Sequence, residues 1–218
     1  DVDVFAVSAS SAGTLTVAMT TKDISSWASY GFAYVVVDAS GNTLAADSCT
    51  NSCASLTVGL SAAGTYYVAV GSSSSYGTPD GSYTVTASYS TDTSGVELEP
   101  NDSLETAQSI SLDDSIVGTI SSSSDVDVFA VSASSAGTLT VAMTTKDISS
   151  WASYGFAYVV TDASGNTLAA DSCTDSCASL TVGLSAAGTY YVAVGSSSSY
   201  GTPDGSYAVT ASYSTDTS

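Results

Sequence analysis

The chain has 218 residues, with 21 acidic side chains against two lysines, Lys22 and Lys146, no arginine and no histidine, and a net charge of −19. Phosphate and anionic lipid are held by Lys and Arg, so this balance argues against nucleic acid and against a membrane surface as partners. No window approaches the ~20 consecutive apolar residues of a membrane-spanning helix, and the missing histidine removes Ser-His and Cys-His nucleophile pairs.

Taken in order, the chain alternates. Val2, Val4, Phe5 and Val7 open a strand. Leu15, Val17 and Met19 alternate with Thr14, Thr16 and Ala18. Tyr30, Phe32 and Tyr34 run into Val35–Val37, and Leu56, Val58 and Leu60 form another set. Tyr66, Val68 and Val70 follow, then Tyr83, Val85, Ala87 and Tyr89. A period of two with one apolar face predicts half-buried strands. The turns fall at Ala12-Gly13, at Asp38–Asn42, at Ala63-Gly64 and at Thr78–Gly81. Strands at this spacing, without helices between them, predict an antiparallel β-sandwich of about seven strands.

Residues 1–94 recur as residues 125–218, with differences at Val37/Thr161, Asn51/Asp175 and Thr84/Ala208. The predicted organisation is therefore two sandwich repeats, 1–94 and 125–218, joined by residues 95–124. About 94 residues suffice for one sandwich core. The joining stretch occurs once and contains all three glutamates, Glu97, Glu99 and Glu105. It predicts one helical turn over Asn101–Gln108, with Asp102 or Ser103 as its cap, and a strand over Ile116–Ile120 that serves the second repeat. Ser121–Ser124 reads as a loop.

Glu97, Glu99, Asn101 and Asp102 fall within six residues, and Asp125 and Asp127 stand just before a predicted core strand. In an extended chain Glu97, Glu99 and Asn101 point to one side, as do Asp125 and Asp127. Six to eight such oxygens are what a calcium ion takes. Taken alone, the residues fit a solvated acidic linker equally well.

Glu97-Leu98-Glu99-Pro100-Asn101-Asp102, then Asp125-Val126-Asp127-Val128-Phe129, then Gly188-Thr189-Tyr190-Tyr191-Val192-Ala193-Val194 together resemble the bacterial pre-peptidase C-terminal domain. That family is similar to the collagen-binding domains of secreted collagenases. The resemblance covers residues 97–213 as one domain, and 1–89 as a second copy without its acidic segment. It implies a jelly-roll-like sandwich in which the acidic segment is held by calcium. Matched residue by residue, it implies ligands at Glu97, Glu99, Asn101, Asp102, Asp125 and Asp127. Asp1 and Asp3 match Asp125 and Asp127 and form a half-site in the first repeat.

Cys49 and Cys53 are close in sequence, as are Cys173 and Cys177. Without histidine or a second pair nearby, zinc is poorly supported, and a local disulfide within each repeat is expected, as in secreted proteins. A Ser-Lys pair would need Lys22 or Lys146, which read as solvated lysines. A carboxylate pair at Glu97 and Glu99 would lie in a connection rather than a cleft, so no enzyme activity is expected. Tyr30, Phe32 and Tyr34 read as core. Trp27 and Tyr76, with Trp151 and Tyr200 in the second repeat, are the candidates for exposed contacts.

Two functions follow. The first is a structural repeat of an extracellular or cell-surface filament, stalk or adhesin, braced by calcium and belonging to a self-associating or longer tandem array. The second is an accessory module that holds a secreted hydrolase on extracellular protein or polysaccharide. In the first, the opening repeat exposes an unpaired edge that a linker from a preceding repeat or a neighbouring chain would fill. The 218 residues then read as a processed or cropped piece, one period plus a partial one.

Overall fold

The computed structural model describes residues 1–24, 30–50, 52–74, 77–79, 81–146, 154–203 and 205–215. Among them the secondary structure is entirely β. Contacts divide the chain into two compact units, Asp1–Glu99 and Pro100–Ser218.

The first unit contains β1 (Val2–Ala9), β2 (Gly13–Lys22), β3 (Phe32–Val37), β4 (Thr43–Cys49), β5 (Leu56–Leu60), β6 (Gly64–Ser72), β7 (Ser82–Ser90) and β8 (Leu98–Glu99). They form two four-stranded sheets, β1-β6-β3-β4 and β7-β2-β5-β8. Leu15, Val17 and Met19 on β2 and Tyr34, Val36, Val68 and Val70 on β3 and β6 belong to one buried cluster. Their alternation in sequence is the alternation of the pleat.

The second unit contains β9 (Gln108–Ser109), β10 (Ser115–Gly118), β11 (Val126–Ala133), β12 (Gly137–Lys146), β13 (Phe156–Thr161), β14 (Thr167–Cys173), β15 (Leu180–Leu184), β16 (Gly188–Ser196) and β17 (Ser206–Thr215). Its sheets run β14-β13-β16-β11-β9 and β10-β17-β12-β15. The pairing is antiparallel except for two short parallel contacts, β9 with β11 here and β8 with β5 in the first unit. The β-sandwich expected from the alternation is the fold present.

The two units differ at their sheet edges. In the second, β10 adds to β17, with Ile116 opposite Val209, and Ile110, Ile116 and Ile120 are buried in the core. In the first, β8 adds to β5, with Leu98 opposite Gly59. Gly59 is required there: a Cβ on it would lie 1.8 Å from the Glu97 carbonyl oxygen, whereas one on the matching Gly183 would meet nothing within 4 Å.

Several elements depart from expectation. The helical turn over Asn101–Gln108 is instead a single turn, closed by the Thr106 amide donating to the Ser103 carbonyl at 3.1 Å, and Gln108 already belongs to β9. One turn with Pro100 before it and a strand after it is too short to propagate as a helix. β10 ends at Gly118 rather than Ile120, although Ile120 remains buried. β4 and β14 were not legible as strands, because Leu44-Ala45-Ala46-Asp47 does not alternate. Both disulfides are formed, Cys49–Cys53 and Cys173–Cys177. Each links the end of a strand, β4 or β14, to the loop after it. Tyr34 donates its hydroxyl to the Asp47 carboxylate at 2.9 Å and to the Ala54 carbonyl, which ties that loop to β3. Tyr158 does the same with Asp171 and Ala178.

Candidate metal centre

The acidic segment is held as extended chain at two points. Leu98 and Glu99 pair with Gly59 and Leu60 as β8. Two residues on, the Asn101 carbonyl accepts the Val128 amide at 3.0 Å. Extended geometry sends alternate side chains to one side, and the ones sent inward here are polar. Glu97, Glu99 and Asn101 are 6%, 8% and 0% exposed. Asp127, on β11, is 0% exposed.

Glu97, Glu99 and Asp127 each offer a carboxylate oxygen, and the three oxygens lie within 4.8 Å of one another. At an effective dielectric constant of about 20, two unit charges at that distance repel by about 3 kcal/mol. Burial adds a desolvation cost to each. The protein's only cationic side chains, Lys22 and Lys146, are exposed at the ends of β2 and β12. Three buried carboxylates so arranged fit a cation, and the donors are hard oxygens, the kind that calcium and magnesium take and that zinc or copper sites seldom consist of alone. The cluster can hold a metal ion.

The other predicted ligands, Asn101, Asp102 and Asp125, adjoin these three in sequence. Asn101 is buried next in line on the segment. Asp125 is 7% exposed, and its Oδ2 accepts the Ser121 amide at 2.5 Å. Burial pushes its carboxyl above the usual carboxylate range and the negative charge of Asp102 pushes it further, while the Ser121 amide opposes both. Asp102 itself is exposed.

One contributor was not read from the sequence. Tyr207 on β17 donates its hydroxyl to Asp127 Oδ2 at 2.5 Å. In the first repeat Tyr83 donates to Asp3 Oδ2 at 2.6 Å. Burial, then the hydrogen bond to Asp3, push the Tyr83 phenol up to about 12. Both pairs are 80 residues apart, so only folding brings them together; the available signal was the same Asp and Tyr standing in both copies. Asp1 and Asp3 themselves are exposed. Of the predicted contact aromatics, Trp27, Tyr76 and Trp151 lie outside the described residues. Tyr200 is 90% exposed.

The two disulfides fit a protein that matures in an oxidising compartment. No helix among the described residues is long and apolar enough to cross a membrane.

No protein-family model matches the chain. No curated protein matches it either. Solved structures do. The pre-peptidase C-terminal domain of a collagenase from Bacillus anthracis is similar at 19% identity and a TM-score of 0.35, covering 48% of this chain and 93% of that one. The CUB1-EGF-CUB2 region of human MASP-1/3 is similar at 10% identity and a TM-score of 0.29, covering 97% of this chain and 93% of that one. A lectin from Pleurotus ostreatus, solved with GalNAc, is similar at 11% identity and a TM-score of 0.26, covering 96% and 72%.

Proposed function

We propose that the chain is a non-enzymatic structural repeat of an extracellular or cell-surface filament, stalk or adhesin, in which calcium braces the connecting segment. The carrying observation is the buried trio Glu97, Glu99 and Asp127 on that segment and on the strand after it. Near-identity of the repeats and the absence of histidine and arginine support a structural rather than a catalytic role. Calcium bound here neutralises the trio, with Asn101, Asp102 and Asp125 as further oxygen donors.

Calorimetric melting in calcium and in chelator tests this. Extracellular calcium modules bind at roughly 0.1–1 mM, and a tenfold excess over the dissociation constant contributes about 1.4 kcal/mol. The melting midpoint is expected to rise with calcium. In Glu99→Gln the chelated protein should melt no lower than wild type, because one repulsion is removed, while the response to calcium shrinks. Midpoints unmoved by calcium in both proteins would dispose of the calcium bracing.

A second reading, an accessory module that binds protein or polysaccharide, has Tyr200 in its favour, a large aromatic ring in open solvent. Retention on insoluble protein or polysaccharide that Tyr200→Ala abolishes would select it.

A further inference from the structure

The two repeats are nearly the same sequence with different burial, so each is a control for the other. In the second unit Val128, Phe129, Val131, Tyr207, Val209 and Ala211 are all buried. Their counterparts in the first unit are Val4, Phe5, Val7, Tyr83, Val85 and Ala87. Val4 and Phe5 are 59% and 41% exposed. Val7, Tyr83 and Val85 are only partly buried, and Ala87 is exposed. These side chains, except Val4, line an open groove of about 730 Å³ between β1 and β7. Among the described residues, β7 pairs on one side only, with β2.

The second unit shows what such a groove accepts. Its counterpart is filled by the segment of β9 and β10. Gln108 and Ser109 pair in parallel with Phe129 and Ala130. The Ile110 amide donates to the Ala130 carbonyl at 3.1 Å, and the Asp113 amide to the Ala211 carbonyl at 2.8 Å. Ser115–Gly118 pairs with Tyr207–Thr210. Ile110, Ile116 and Ile120 supply the apolar contact. Each partner has an identical residue in the first unit except Ala208, which is Thr84 there. Thr84 is exposed, so its side chain does not close the groove.

We infer that the β1–β7 groove of the first unit is a docking site for a linker segment with the sequence of residues 106–122, belonging to another repeat of the same array. The incoming chain pairs antiparallel with Tyr83–Thr86, with its Ile116 opposite Val85. Its Ile110 amide meets the Ala6 carbonyl and its Asp113 amide meets the Ala87 carbonyl. The three isoleucines cover Phe5, Val7 and Val85. Strand addition to an open edge beside an apolar groove combines backbone hydrogen bonds with side-chain pockets, which is what gives such docking both affinity and register. This rests on the reading of the chain as a structural repeat, but not on its calcium, because residues 106–122 contain neither Glu97 nor Glu99.

The test is fluorescence anisotropy of a labelled peptide of residues 106–122, titrated with the full 218-residue chain, in calcium and in chelator. Saturable one-to-one binding is expected in both buffers. It should weaken at least tenfold when the peptide carries serine at its three isoleucines, and at least tenfold for the chain variant Ala87→Arg, whose substitution sits at an exposed position. No saturation up to millimolar chain would overturn the proposal. So would binding that Ala87→Arg leaves intact, which would mean exchange with the segment already seated in the second unit. Dimers of the chain alone that Ala87→Arg dissolves would assign the groove to a whole second copy and overturn the linker assignment.

Discussion

Thr161 and Val37 occupy the same place at the end of β13 and β3, and they are one of the few differences between the repeats. Thr161 is 9% exposed and, among the described residues, its Oγ1 has no hydrogen-bond partner. A buried hydroxyl left unsatisfied costs about 1–3 kcal/mol. Thr161→Val installs the residue that the first repeat already uses there, with nearly the same shape. It should stabilise the second unit by about 1 kcal/mol, read as a rise in its denaturation midpoint in urea with an unchanged slope. A midpoint that falls would show that the hydroxyl is satisfied in solution. At this scale the gathering of acids was legible: Glu97, Glu99 and Asp127 come within one cluster. The tyrosines beside Asp127 and Asp3 were not, because a hydroxyl 80 residues away leaves no local pattern.

Among the elements, β8 and the segment of β9 and β10 decide what each unit buries. β8 is two residues long and has no periodicity to read. It exists because Gly59 lets the Glu97 carbonyl approach β5, where a methyl group would collide with it. Gly59→Ala is therefore expected to displace β8 and to lower stability by roughly 1–3 kcal/mol, the usual cost of forcing extra volume into a close contact. Gly183→Ala, at the same position of the second repeat, meets open space and should lie within about 0.5 kcal/mol of wild type. Equal effects of the two substitutions would contradict the packing of β8 on β5. Denaturant melts of the two variants side by side settle the matter. The long strands, by contrast, were legible from alternation alone. β4 and β14 were missed because they sit at sheet edges and carry alanines and an aspartate where a core strand carries valines.

On the scale of the whole molecule, two nearly identical sequences end in two differently completed sandwiches. The second core contains Ile110, Ile116 and Ile120, and among the described residues the first core has none in their place. Complete burial of one such side chain contributes about 1.5–3 kcal/mol, and area-based figures of this kind are upper values. The first unit should consequently be the less stable. In native-state hydrogen exchange, amides of β1 and β7 should exchange faster than those of β11 and β17, and intrinsic rates nearly cancel because the sequences match. Protection that is the same in both pairs would mean that the isoleucines add nothing to the second core.

What the sequence determined by itself was local or repetitive: the duplication, the alternating strands, the turns, the disulfide within each repeat and the acids gathered on one segment. Period-two patterning fixes which face of a strand is apolar, and a spacing of four residues allows few partners for a cysteine. The tertiary structure decided everything that depends on which edges meet. It carried Glu97 and Glu99 to Asp127, turned the expected helical segment into a single turn leading into β9, and gave β8 to one sheet edge and β10 to another. It also left Phe5 exposed while burying Phe129, its counterpart in the second repeat. The physical reason is that burial is a property of neighbours. Two copies of one sequence present the same apolar face, and only the segment lying against it determines whether that face is core or surface.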